Sequence, residues 1–278
     1  MLTSLEPIRA AHLLPELDRL LVELLRSLGP AEWETQTLAP AWTVRDVAAH
    51  LLDTQLRKLS ICRDGSCSGS PAPATPAALA GLVNTMNKEG VTVYRRLSPV
   101  VLTALLEWAA RESGEYHASL DPFADAVFPV SWAGEDRSPN WFDTARELTE
   151  RWHHQQQIRV AVDRPGIMTR ALYYPVLDCF MRALPHAYRD CEAEPGSLLR
   201  FDISGDCGGS WFLCREPDRW RLAREPAGEE RSRTVIPQDV AWRVFTKGIR
   251  RDAARPQVTV SGDHALGLLV LDMIAIIA

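Results

Sequence analysis

The residues best suited to chemistry stand in one run, Glu150-Arg151-Trp152-His153-His154-Gln155-Gln156-Gln157-Ile158-Arg159. No Gly or Pro interrupts residues 141–161, so the run is expected to be helical, and on a helix Glu150 and His154 stand one turn apart on the same face. A carboxylate and an imidazole placed in that way can share one metal ion. A third ligand has to come from elsewhere, and the best-framed candidate is His50, inside Trp42-Thr43-Val44-Arg45-Asp46-Val47-Ala48-Ala49-His50-Leu51. Two nitrogens and one oxygen leave zinc a fourth position for water or substrate, the pattern of a catalytic rather than a structural site. Nickel or iron tolerates the same donors. His153 is the rival ligand. It points about 100° away from His154 on a helix, so both cannot serve one site with Glu150, and only His154 is a full turn from the carboxylate.

These side chains need elements to position them. Leucines at helical spacing from Ile8 to Leu28, stopped by Gly29-Pro30, predict a first long helix. Thr43 is placed to cap a second, with Asp46 completing a variant capping box, and Val44, Val47, Ala48 and Leu51 form its buried stripe. His50 lies about 60° off Val47, at the edge of that stripe. Such an edge suits a side chain reaching into a cleft, and equally a half-buried histidine satisfied by a neighbour. Residues 63–74, rich in Gly, Ser and Pro, are expected to be a loop. Thr75-Pro76 opens a helix to about Arg96, and Ser98-Pro99 starts another segment, so this stretch is one bent helix or two. Residues 121–139 are an extended connection or short hairpin, and Asn140 is expected to cap the Glu150 helix.

On that helix Trp141, Ala145, Leu148 and Trp152 make an apolar stripe, while Glu150, His154 and Gln157 project about 180° away. A polar face opposite an apolar one is ordinarily solvated. Ile158 and Ala161 beside it imply that a second body covers this side. A boundary at Asp163-Arg164-Pro165-Gly166 divides the chain into a helical domain over 1–165 and an α/β domain over 166–278, and the second domain is expected to be that cover. Met168 to Cys191 is expected to be one helix. Strands follow at Leu198–Ile203, Trp211–Cys214 and Trp220–Ala223, forming an antiparallel meander; Pro237 opens a helix, Gln257–Ser261 is a fourth strand and Asp263 starts the last helix.

Composition narrows the function. With 46% hydrophobic and 24% charged residues the chain can bury a core. A net charge of −5 gives no electrostatic reason to expect nucleic-acid or membrane partners. No signal peptide or membrane-length apolar run is present, so a soluble, cytoplasmic protein is expected, as monomer or homodimer. Six cysteines in no CxxC pair are expected to be free thiols.

The motifs W-T-V-R-D-V-x-x-H at Trp42–His50 and E-x-W-x-H-H-x-x-I-R at Glu150–Arg159 resemble those of the mycothiol-dependent maleylpyruvate isomerase family, and the resemblance extends over essentially the whole chain. It implies an α+β fold: a DinB-like four-helix bundle followed by a smaller, sterol-carrier-like α/β domain with an antiparallel-rich sheet. It implies His50, Glu150 and His154 as ligands of a divalent metal, zinc first, and mycothiol or a related small thiol as cofactor. Family members place basic residues of the second domain against a small anionic substrate; Arg250 or Lys247 fits that place here, with Arg159 a further candidate. Where many relatives carry an acid, this chain has Gln157. The activity implied is thiol-dependent isomerisation of maleylpyruvate. A thiol S-transferase acting on another electrophile and a non-catalytic metal-binding or stress-response protein are the alternatives.

Overall fold

The structure, a computed structural model, describes residues 5–66, 76–226 and 228–276. The fold is α+β, with helices first and the sheet after Pro195. Two compact units separate by their contacts: residues 9–129 and 138–167 form one, and residues 168–276, with 130–137 and the chain up to Ile8, form the other.

The first unit is helical. Its long helices are α1 (Leu14–Ser27), α2 (Val44–Lys58), α3 (Pro76–Tyr94), α4 (Pro99–Ser119) and α5 (Asn140–Ala161). The leucine spacing of the first, the valine stripe of the second and Leu102, Leu106 and Ala109 of α4 meet Ile158 of α5 in one buried cluster. Each fully buried Leu or Val there contributes about 1.5–3 kcal/mol. Thr43 caps α2 as the sequence predicts, accepting from the Asp46 N–H while the Asp46 carboxylate accepts from the Thr43 N–H at 3.1 Å. The stretch after Pro76 is two helices, because Ser98 caps a new one through the Val101 N–H. Residues 67–75, which hold Cys67, Thr75 and most of the expected loop, lie outside the described residues. Leu59–Arg63, at the edge of that loop, form a π-helical turn instead.

Asn140 does not cap α5. It is the first helical residue, behind Pro139, and its amide donates to the Asp121 carbonyl at 2.9 Å, tying the helix start to the preceding connection. The solvated face that a lone helix would show is also absent: every residue from 142 to 159 except Arg146 and Glu150 is buried.

In the second unit the expected helix over Met168–Cys191 ends early. Helix α6 spans Arg170–Met181, and only one further turn, Leu184–Ala187, follows; Pro185 has no N–H for the Met181 carbonyl, so the helical ladder stops there. Strands β1 (Ser197–Ser204), β2 (Gly209–Arg215) and β3 (Trp220–Ala223) are the anticipated antiparallel meander. A strand missed by the sequence, β4 (Glu229–Pro237), runs parallel to β1. Its first half, Glu229-Glu230-Arg231-Ser232-Arg233, carries no apolar alternation. The strand expected fourth is therefore the fifth, β5 (Thr259–Gly262), and the order is β3-β2-β1-β4-β5. Helix α7 (Gln238–Phe245) follows Pro237, and α8 (His264–Leu268) is capped by Asp263. Phe180 of α6 meets Phe245 of α7 ring to ring at 5.8 Å, and the Tyr173 hydroxyl donates to the Gln238 carbonyl at 2.6 Å.

Among the described residues no helix is long and apolar enough to cross a membrane. Cys62, Cys179, Cys191, Cys207 and Cys214 are free thiols.

Candidate metal centre

Three side chains from two helices of the first unit converge. His50 stands nearly two turns into α2, and Glu150 and His154 stand one turn apart on α5. Their ligand atoms lie within 4.8 Å of one another. A single carboxylate oxygen organises the group: Glu150 Oε1 is 3.0 Å from His50 Nε2 and 3.2 Å from His154 Nε2. Both histidines are buried, whereas the Glu150 side chain is 23% exposed, so the cluster keeps one approach for a ligand.

Neighbouring residues fix the rings. The Trp42 carbonyl is held by the Thr37 N–H at 3.1 Å, the Thr37 hydroxyl at 2.7 Å and the Gln36 amide at 2.8 Å. Its indole consequently stands 4.7 Å from the His50 ring and 5.9 Å from the His154 ring, an apolar wall on one side of the cluster. His154 Nδ1 donates to Gln157 Oε1 at 2.9 Å. His153 turns away: its Nδ1 donates to the Thr149 carbonyl at 2.9 Å, and it is not a member of the cluster.

The donor set fits a borderline dication. With Nδ1 donating to Gln157, Nε2 is the His154 nitrogen that faces the carboxylate oxygen. A nitrogen and a carboxylate oxygen at that distance need a cation, proton or metal, between them. His50 Nδ1 is buried with no partner among the described residues, so nothing in the protein holds a second proton on that ring. Burial, aided by the charge of His154, pushes the His50 imidazole down to about 4 against the pull of Glu150, which leaves it neutral and able to ligate near pH 7. Burial alone would raise Glu150, yet the two imidazoles hold it well below the usual carboxylate range.

The three basic candidates fare differently. The Arg159 guanidinium is buried and spent on carbonyls, those of Arg164 at 3.1 Å, Pro165 at 3.3 Å and Leu20 at 3.0 Å. It fastens the end of α5 to α1 and to the following turn, which leaves its guanidinium turned to carbonyls rather than to the cluster. Lys247 and Arg250 belong to the second unit. Lys247 is exposed at φ 59°, just past α7, and Arg250 is exposed and ion-paired with Asp252 at 2.8 Å. Sequence reasoning missed Trp42 as a wall and Gln157 as a hydrogen-bond acceptor. The second was legible, since Gln157 is three residues from His154 on one helix face.

Comparison with known proteins gives the chain a family and relatives of similar fold. The family described as the mycothiol maleylpyruvate isomerase N-terminal domain matches residues 14–159. Among solved structures, the crystal structure of a histidine-to-alanine mutant of the mycothiol-dependent maleylpyruvate isomerase is similar at 14% identity, covering 90% of this chain and 92% of that one with a TM-score of 0.50. The structure of the same enzyme without that mutation gives 15% identity, the same coverage and a TM-score of 0.48. At such identities the likeness is one of fold. No curated protein matches the chain by sequence.

Proposed function

Because the chain belongs to the mycothiol maleylpyruvate isomerase family, we propose that it is a metal- and thiol-dependent isomerase of small, anionic, cis-unsaturated substrates of the maleylpyruvate type. The observation that carries the proposal is the convergence of His50, Glu150 and His154, with one carboxylate oxygen facing both Nε2 atoms. These residues would hold a divalent metal, zinc best matching two imidazoles and a carboxylate. Such a metal supplies a place where a small thiol is bound as thiolate at neutral pH, and a thiolate is the nucleophile whose reversible addition to a cis double bond frees rotation about it. Glu150 contributes the single negative charge among the ligands. His50 stays neutral, Gln157 turns the His154 ring so that Nε2 faces the metal, and the Trp42 indole keeps water from one side of the group. Lys247 or Arg250 is the proposed contact for the substrate carboxylates, which also steadies negative charge that develops next to them.

The test is to load the protein with zinc and supply maleylpyruvate together with mycothiol, bacillithiol or glutathione. Isomerisation that requires both metal and one of these thiols is the expected result. Isomerisation undiminished without thiol refutes the proposal. Thiol-dependent loss of the cis compound without the trans product identifies an S-transferase, and no reaction by a fully metallated sample leaves a metal-binding protein without catalysis.

A further inference from the structure

Gln157 hydrogen-bonds the His154 imidazole at Nδ1, while Nε2 of the same ring faces Glu150. The geometry points to Gln157 as the positioning residue of His154, and to its neutral amide as the feature that leaves the metal centre with an uncancelled positive charge for an anionic ligand. This inference rests on the proposed function.

The first half follows from hydrogen bonding. A neutral imidazole carries its proton on one nitrogen only, and the partner of that nitrogen decides which one is left to ligate. Here the partner is the Gln157 oxygen, 2.9 Å from His154 Nδ1 and three residues further along α5. Gln157 is itself 5% exposed, so water does not compete for the bond. The rest of the ring is fixed too, with the His153 ring tilted against it at 3.9 Å between centroids and His50 edge-on at 4.5 Å. An imidazole held this way presents Nε2 to Glu150 without having to reorient.

The second half follows from charge. A dication with one carboxylate ligand, Glu150, and two neutral imidazoles has a net charge of about +1. A glutamate at 157 would bring that sum to about zero, strengthening the hold on the metal and weakening the hold on any anion in the open position. An amide oxygen orients the ring without that cancellation. Gln157 therefore exchanges some metal affinity for anion affinity.

Two variants test this without reference to turnover. In Gln157→Leu, which keeps the volume and removes the acceptor, zinc affinity measured by chelator competition is expected to fall about 10–100-fold. In zinc-loaded wild type the His154 Nδ1 proton should appear as a slowly exchanging downfield imidazole signal, and in Gln157→Leu it should move upfield and exchange faster. Gln157→Glu should restore or tighten zinc binding while weakening azide binding to the cobalt-loaded protein, a pair of opposed shifts that a merely structural residue would not produce. Zinc affinity in Gln157→Leu within about threefold of wild type, with an unchanged imidazole signal, overturns the positioning role. Azide bound as tightly by Gln157→Glu as by wild type overturns the charge argument. A wild type that binds no zinc at all is a different outcome, because it removes the proposed function itself. Thermal unfolding of the metal-free variants separates any loss of fold from loss of the ligand geometry.

Discussion

Helix α5 carries two buried polar clusters, and they are built on opposite principles. In one, Asp143 pairs with Lys58 and with Arg146 at 2.8 Å, and Arg151 bonds Glu147 at 3.2 Å, Asp18 at 2.6 Å and the Ser113 hydroxyl at 2.6 Å. Three cations there match three anions, so the cluster is balanced in charge as the protein makes it. In the other, the Glu150 carboxylate faces two imidazole nitrogens, His50 Nε2 at 3.0 Å and His154 Nε2 at 3.2 Å. The first cluster binds helices to one another; the second is finished only by a cation from outside. A buried polar group signals a ligand site when the protein's own partners leave its charge or lone pairs unanswered.

Breaking each cluster at its centre gives the largest contrast. Arg151→Met removes the cation that Asp18 and Glu147 share, leaving the buried Asp18 carboxylate uncompensated while Glu147 keeps only Arg146 at 3.4 Å, and should destabilise the metal-free protein by about 3–5 kcal/mol. Glu150→Gln should cost well under half of that in the metal-free state. The Glu150 side chain is 23% exposed against 1% for Arg151, so water already screens it, and the amide keeps a hydrogen-bonding oxygen in place. Zinc binding should show the reverse order, lost in Glu150→Gln and retained in the folded fraction of Arg151→Met. Urea unfolding and zinc titration of both variants check this. Equal destabilisation by the two would mean that the clusters do not differ in kind.

The fold was legible in proportion to how local its signals are. The cap at Thr43, the stop at Gly29-Pro30, the meander and the cap at Asp263 depend on neighbouring residues, and each appears where the sequence places it. Strand β4 was not legible because it pairs in parallel with a strand some thirty residues earlier and carries charges where an alternation would show. Asn140 misled because an N-cap and a first helical residue have the same composition in sequence, and only the Asp121 carbonyl decides between them. At the candidate site, the i, i+4 spacing of Glu150 and His154 was readable, while the pairing with His50 across a hundred residues came from motif resemblance. Arg159 looked like a spare cation for the same reason that hid the buried network: a charge in a sequence does not show which carbonyl or carboxylate it will meet.

The self-sufficient cluster has a pH signature of its own. His117 bonds the Thr144 hydroxyl through Nδ1 at 3.1 Å, while its buried Nε2 has no partner among the described residues. Burial pushes this imidazole down to about 3 from an ordinary 6.5, with Glu147 pulling the other way. Between those values the unfolded chain binds a proton that the folded protein refuses, so this residue makes stability fall as pH drops. Asp18 does the opposite, since burial pushes it up to about 6 in spite of Arg151 and the folded protein takes its proton first. His117→Phe should abolish the first slope and leave the second. Relative to wild type, the variant should gain about 1.4 kcal/mol per pH unit as pH falls below 6.5. Any packing penalty of the larger ring shifts all pH values alike, so the slope of the difference, from chemical denaturation of metal-free samples, is the measurement. A flat difference would place a proton on the folded-state ring and make the first cluster less complete than its bonds imply.

The smallest effect tests whether the metal centre is held by its side chains or by its helix ends. Thr43 accepts from the Asp46 N–H and sits opposite the Asp46 carboxylate, closing the first turn of the helix that carries His50. Thr43→Ala removes the acceptor and should cost about 1 kcal/mol, a fall in Tm of about 2–4 °C for a protein of this size. Fraying is confined to the first turn of a helix, whereas His50 lies in the second and is 2% exposed between α5 and the Trp42 indole. Zinc affinity should therefore change by less than about threefold even as Tm falls. Its loss on the scale expected for Gln157→Leu would show that the cap, not the contacts of the rings, sets the ligand geometry, and the line drawn between a cluster that holds helices and a cluster that awaits a cation would have to be redrawn to include the helix end.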